Sequence, residues 1–221
     1  LQLFTPFRIS VDLYPVNVTY NFGVAIYRFF QLKNYKYNTP NFMFESQATH
    51  EADEKETSML IVGETARSIN WGLYGYERQT TPKLAARHDL LVFRNVLSQS
   101  NTTHKCVPLL LTAAEAANPN PMYDQRSVLQ AFKEAGFHTI YISNQAENGS
   151  LIYQYSREAD VRRYVRDNTS TEMPDDANLL KTLRSELAND THTKRLVIIH
   201  CYGSHFKYCE RVPESYRVFQ P

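Results

Sequence analysis

Glycine is scarce in this chain, 7 of 221 residues, about 3% where ~7% is usual. Cysteine is scarcer. Three of them, Cys106, Cys201 and Cys209, cannot close a disulfide framework, show no C-x-x-C spacing and say nothing of compartment. No apolar run approaches the ~18 residues of a membrane span. Neither sign of charge dominates: 24 basic against 23 acidic residues leave a net charge of +1. Bulk electrostatic attraction to nucleic acid is therefore excluded, and a charged ligand must be met by a local site. Leu1 stands where a Met would open a reading frame, and no basic stretch leads into an apolar one. The expectation is a processed piece without its own signal peptide.

What is present is ample for folding. Hydrophobic residues at 43% and charged residues at 21% exclude disorder as the main state. A chain of this length buries roughly 70% of its unfolded surface around one core. Aromatics reach 13%. Many crowd into residues 1–45 in irregular clusters, such as Leu13-Tyr14 and Val24-Ala25-Ile26-Tyr27 with Phe29-Phe30, interleaved with Arg28, Lys33 and Lys36. Amphipathic rings beside cationic heads suit a membrane interface, and an aromatic segment packed on the main domain fits equally. The charged stretch His50 to Thr57 reads as a solvated linker, which divides the chain into residues 1–56 and 57–221.

After the linker, Met59-Leu60-Ile61-Val62 runs apolar to Gly63 and predicts a strand buried on both faces. Helices follow near Thr81–Arg87, Thr103–Ala117, Arg126–Ala135 and Asp176–Ala188; strands follow near Leu91–Leu97, Thr139–Ile142 and Arg195–Ile199. Alternation of this kind predicts an α/β fold, a doubly wound, mostly parallel sheet with helices on both faces. Ligands then lie beyond the strands' carboxyl ends. Three clusters occupy such positions: Glu64, Thr65, Arg67 and Asn70; Ser100 to Thr103; and His200, Ser204 and His205. Each has an ordinary explanation as a cap, a loop residue or a structural histidine. Together, a carboxylate, a hydroxyl at a helix start and two imidazoles suit a metal site with an oxygen nucleophile, and the helix start suits an anion.

Val62-Gly63-Glu64-Thr65-Ala66-Arg67, then Asn70, Leu73-Tyr74-Gly75-Tyr76 and Arg78-Gln79-Thr80-Thr81-Pro82, resembles the signature of bacterial phosphoethanolamine transferases of the alkaline phosphatase superfamily. Asn95-Val96 to Val107-Pro108 resembles that family's nucleophile segment, and His200-Cys201-Tyr202-Gly203-Ser204-His205 its H-x-x-G-x-H segment. The resemblance implies an inner-membrane enzyme whose periplasmic domain moves phosphoethanolamine from phosphatidylethanolamine to lipid A or another envelope acceptor. It implies Zn held by Glu64 and Thr103, with Thr103 as the nucleophile that becomes covalently modified. It implies His205, with His200 beside it, facing the transferred phosphate or a second metal. Residues 1–45 resemble the connecting segment between membrane helices and catalytic domain, which implies interfacial lipid contact through an anchor outside this sequence.

Some positions depart from the pattern. Gln99-Ser100 replaces the usual C-G, Leu109 replaces the cysteine after V-P, and His104 follows the nucleophile directly. The family's later S-D-H-G segment, which completes its metal site, has no counterpart before Pro221, so this chain alone is expected to bind zinc weakly and to be inactive. Cys106-Val107-Pro108 resembles the start of the sulfatase C-x-P-x-R motif, but Leu110 occupies the Arg position. The same residues also admit a phosphoglycerol transferase of that superfamily, or a non-catalytic relative that binds envelope lipid or glycan. The polar stretch Asn144 to Asp176 is expected to line an acceptor pocket. Its Arg157, Arg162, Arg163 and Arg166 suit either acceptor phosphates or a solvated helix face.

Overall fold

The computed structural model describes residues 9–166, 175–205, 208 and 214–219. Four parallel strands, β1 (Glu56–Val62), β2 (His138–Ser143), β3 (Val161–Tyr164) and β4 (Lys194–His200), form one sheet in the spatial order β1-β4-β2-β3. The described helices are α1 (Ile9–Asp12), α2 (Val16–Asn38), α3 (Pro82–Ala85), α4 (Thr103–Leu111), α5 (Pro121–Asp124), α6 (Val128–Glu134), α7 (Leu151–Ser156) and α8 (Ala177–Asn189). Register brings Val62 and Ser143 level with His200, and Tyr164 level with Ser143, so all four strands end on one line.

The apolar run of β4 explains its central place. Successive side chains point to opposite faces, and both faces are covered. Leu196 and Ile198 join Tyr141, Leu129 of α6, Tyr155 of α7 and Val107, Leu109 and Leu111 of α4 in one core. Val197 and Ile199 join Ile140, Ile142 and the Leu179 and Leu183 stripe of α8 in the other. Helices therefore cover both faces of a parallel sheet, as the alternating pattern predicts.

Several elements differ from that prediction. Residues 91–97 form no strand; Leu91, Val96 and Leu97 are exposed, and the run has no ladder partner among the described residues. An apolar run becomes a strand only where a neighbouring strand satisfies its backbone. α4 stops at Leu111 rather than near Ala117, because the Thr112 hydroxyl donates to the Pro108 carbonyl at 2.7 Å while the backbone of Thr112 turns extended. Favourable Ala propensity beyond it is overridden. β1 is covered on one face only: Met59 and Ile61 point outward and are exposed among the described residues. Its first residue, Glu56, lies inside the stretch expected to be a linker. α7 and β3 arise within the stretch expected to be a polar loop.

Residues 16–38 form a helix of 23 residues, α2, rather than irregular clusters. Its two ends have different surroundings. Near the carboxyl end, Tyr35 is 2% exposed and donates its hydroxyl to the Gln125 carbonyl at 2.9 Å and to Glu158 at 2.5 Å. Glu158 is buried and also accepts from the Ser127 amide (2.9 Å) and hydroxyl (2.6 Å), with Arg126 3.8 Å away. Burial and the Glu158 charge hold the Tyr35 phenol protonated, far above its ordinary pKa. Toward the amino end, Val18, Tyr20, Phe22, Tyr27, Phe29 and Phe30 are all exposed. No described helix is long and apolar enough to cross a membrane.

Candidate active site

The first sheet strand, β1, delivers Glu64 just past its end, and the first turn of α4 delivers Thr103. The Thr103 hydroxyl donates to Glu64 Oε2 at 2.7 Å, joining residues 39 apart in sequence. Thr65 donates to the other oxygen, Oε1, at 2.6 Å, from a left-handed backbone with φ of 50°. Glu64 is 7% exposed, so these two hydroxyls stand in for much of the water its carboxylate has lost.

His200 closes β4 at the same level and is 1% exposed. The Tyr141 hydroxyl lies 3.1 Å from its Nδ1, while the buried Nε2 has no hydrogen-bond partner among the described residues. Burial pushes its pKa down to about 4 against the opposing charges of Glu64 and Asp176, so the ring is neutral at pH 7. Thr103, His104, Ser143, Tyr153, Tyr164, His200 and His205 line one cleft at this end of the sheet. His205 stacks on Tyr202 with ring centroids 5.1 Å apart.

The loop between His200 and His205 is held from two sides. Asp176 accepts from the amides of Tyr202 and Gly203, both at 2.8 Å, and from Asn144 Nδ2 at 2.8 Å. The Ser204 amide donates to the Glu64 carbonyl at 3.2 Å. Gly203 has φ of 46°, and a Cβ there would meet the Glu64 carbonyl oxygen at 2.8 Å. Glycine is required on both counts, backbone conformation and close approach. Cys201 is not a competing nucleophile, since burial and the Asp176 charge push its thiol up to about 11.

Of the sequence-derived candidates, the structure thus brings Glu64, Thr103, His200 and His205 to one end of the sheet. Others serve the framework. The Thr80 hydroxyl bridges the Asn70 carbonyl (2.7 Å) and the Gly72 amide (2.9 Å), so Asn70 builds a turn. The Cys106 thiol donates to the Ser100 carbonyl at 2.7 Å, while it is Thr103 that bonds Glu64. Of the four arginines, Arg163 pairs outward with Glu186 at 2.6 Å. Arg162 lies over the cleft-lining Tyr153 ring at 4.9 Å, and Arg166 over Tyr202 at 4.9 Å. Asp176, Tyr141 and Ser143 carry no signal along the chain; parallel register and a loop folding back onto the α8 start bring them in.

A parallel sheet wound on both sides, with an acid, a hydroxyl and histidines beyond its carboxyl ends, defines a class, and the match of the sulfatase family over residues 56–221 shows that the chain belongs to it. Within that family it is 34% identical over 171 residues to the phosphoethanolamine transferase EptC of Escherichia coli (strain K12), an alignment covering 74% of this chain and 30% of that protein. The crystal structure of the C-terminal periplasmic domain of Escherichia coli EptC in complex with Zn superposes with a TM-score of 0.68 at 32% identity, over 77% of this chain and 50% of that one. The integral membrane lipooligosaccharide phosphoethanolamine transferase A of Neisseria meningitidis superposes with a TM-score of 0.70 at 27% identity, over 94% of this chain and 39% of that one. The chain thus spans about 30% of the length of the curated relative it matches.

Proposed function

We propose that this chain is part of a phosphoethanolamine transferase with Thr103 as its nucleophile, acting in the periplasm on phosphatidylethanolamine as donor and lipid A or another envelope component as acceptor. The observation that carries it is the Thr103 hydroxyl donated to a buried Glu64 at 2.7 Å beyond the sheet's carboxyl end. Residues 1–56 are the membrane-proximal segment in this proposal, and residues 57–221 belong to the catalytic domain. The exposed aromatic side chains on the amino-terminal part of α2 suit the interface beside a membrane anchor. No nucleic acid takes part.

A carboxylate bonded to a hydroxyl, with imidazoles at the same end of the sheet, forms a hard oxygen and nitrogen donor set suited to zinc. Glu64 and Thr103 would hold it. When bound, zinc lowers the cost of deprotonating a neighbouring hydroxyl and offsets phosphate charge. Thr103 Oγ1 attacks the donor phosphorus as it gives up its proton; an O–P bond forms to threonine, the P–O bond to glycerol breaks, and diacylglycerol leaves with the electron pair and takes up a proton in its place. His205 stabilises charge on the transferred group, with His200, a neutral ring, beside it. An acceptor oxygen then attacks phosphorus from the opposite side and frees the threonine. The α4 dipole favours the anion throughout.

Thr103→Ala in the full-length protein, followed by intact-mass measurement after incubation with phosphatidylethanolamine, tests the assignment. The expected result is loss of a phosphoethanolamine adduct and of transfer; an adduct mapping to another residue overturns it. Sulfatase chemistry is disfavoured by the Cys106 thiol, which is committed to the Ser100 carbonyl.

A further inference from the structure

The opposite end of the sheet carries a second cluster of ligand-type side chains. His138 is the first residue of β2; Asp190 and His192 lie in the turn that leads from α8 into β4. The six residues of β2 separate this cluster from the cleft by about 20 Å. Asp190 has a side chain only 4% exposed, yet it sits at a strand entrance with two imidazoles on it. His138 Nδ1 lies 3.2 Å from Oδ2, and His192 Nδ1 lies 2.5 Å from Oδ1. The two rings stack at 3.9 Å, and all three donor atoms fall within 4.8 Å of one another.

We propose that His138, Asp190 and His192 form a second divalent-metal site, taking zinc or a similar transition metal, distinct from the cleft that holds Thr103. Two imidazole nitrogens and one carboxylate oxygen are a borderline-soft set that fits Zn, Cu or Ni and not Mg or Ca. Both Nδ1 atoms face the carboxylate oxygens, so a metal set between them takes each ring in the tautomer that carries its proton on Nε2. His192, 58% exposed, leaves the fourth position open to water and has room to turn. That turn is needed, because a metal must lie in the plane of each ring and the rings are now nearly parallel, at 24°. Asp190 is already organised as a ligand: the His192 amide donates to Oδ1 at 3.0 Å. Arg195 lies 3.4 Å from Oδ2 and competes for that oxygen, which sets a moderate affinity. The ion would tie the start of β2 to the entrance of β4 and stabilise the fold in proportion to its occupancy.

The test is metal stoichiometry in the tag-free full-length protein, measured by elemental mass spectrometry after equilibrium dialysis against zinc, with Co(II) absorption as a second readout. Wild type is expected to hold one zinc more than His192→Ala, an exposed position whose truncation leaves the fold intact. His138→Gln is expected to weaken that zinc by about tenfold or more. Glu64→Ala is expected to leave it in place, with a tetrahedral Co(II) spectrum surviving in that variant and vanishing once His192→Ala is combined with it. Equal zinc in wild type and His192→Ala overturns the proposal, as does a second zinc lost with Glu64→Ala and kept in both histidine variants. A failure of the Thr103 assignment alone leaves these readings unchanged.

Discussion

The two ends of one parallel sheet handle polar groups in opposite ways. At the carboxyl end, His200 keeps a buried nitrogen without a partner among the described residues, and the Thr103 hydroxyl faces both Glu64 and an open cleft. At the amino end, every oxygen of Asp190 is bonded, with two histidines and Arg195 converging on one carboxylate. Uncommitted polarity is costly to bury and persists where a ligand makes up the difference. Saturated polarity contributes to the fold instead. The same strands thus present a working edge and a fastened edge, and a metal would act differently at each, assisting chemistry at one and adding stability at the other.

The largest effect should come from the working edge. Glu64→Gln retains size but removes the charge beside Thr103, and transfer should fall about 10³-fold or more, with the thermal midpoint nearly unchanged. A full-rate Glu64→Gln enzyme would place the chemistry elsewhere. Gly203→Ala should follow. Its left-handed backbone costs about 1–2 kcal/mol for an L side chain. The Cβ must also displace the Glu64 carbonyl, and an ångström of displacement costs about 10²-fold in rate. Turnover and urea unfolding on one variant separate the two contributions.

The docking of α2 is independent of both edges. Glu158→Ala leaves Tyr35, Ser127 and Arg126 facing a hole, with an expected loss of about 3 kcal/mol. Limited proteolysis should then cut between α2 and β1 first; uniform cleavage would show that α2 is held by other means. Replacing Phe22, Tyr27, Phe29 and Phe30 with Ser should weaken binding to phosphatidylethanolamine vesicles while Tyr35 keeps the helix docked, and unchanged vesicle binding would remove the interfacial role.

The smallest effect concerns Asp160. Burial opposes its charge, but Lys133 at 2.7 Å and the Thr139 hydroxyl and amide hold its pKa below the ordinary value. A lowered carboxylate contributes stability that is present above the unfolded pKa near 4 and is lost as pH falls through the folded value. The pair is partly exposed, so the contribution is about 0.5 kcal/mol. Asp160→Asn should flatten the stability loss below about pH 4 by about that amount.

How much of the molecule was legible along the chain depended on whether the signal was local. β2, β4 and α8 follow from apolar runs and a leucine stripe that need no partner to be seen. Glu64 and His200 were visible as polar residues just past such runs, Thr103 as a hydroxyl at a helix start, and His205 through the H-x-x-G-x-H resemblance. α2 was not, because its aromatics surround the axis and give no single face. The 91–97 run was misleading for the opposite reason: it is apolar, yet no neighbouring strand receives it. β3, with Arg162 and Arg163 in four residues, was hidden by charge that an edge strand tolerates.

The sequence by itself determined the fold class and the buried strand at Leu196 to Ile199, since each rests on apolar runs within a few positions of one another. Only tertiary structure decided that Glu64 accepts from Thr103, that Asp176 shapes the histidine loop, and that His138 meets Asp190 and His192 at the far end. Those contacts join residues as many as 54 positions apart along the chain. They exist because parallel register ends four strands at one level and starts them at another, which no local pattern can state.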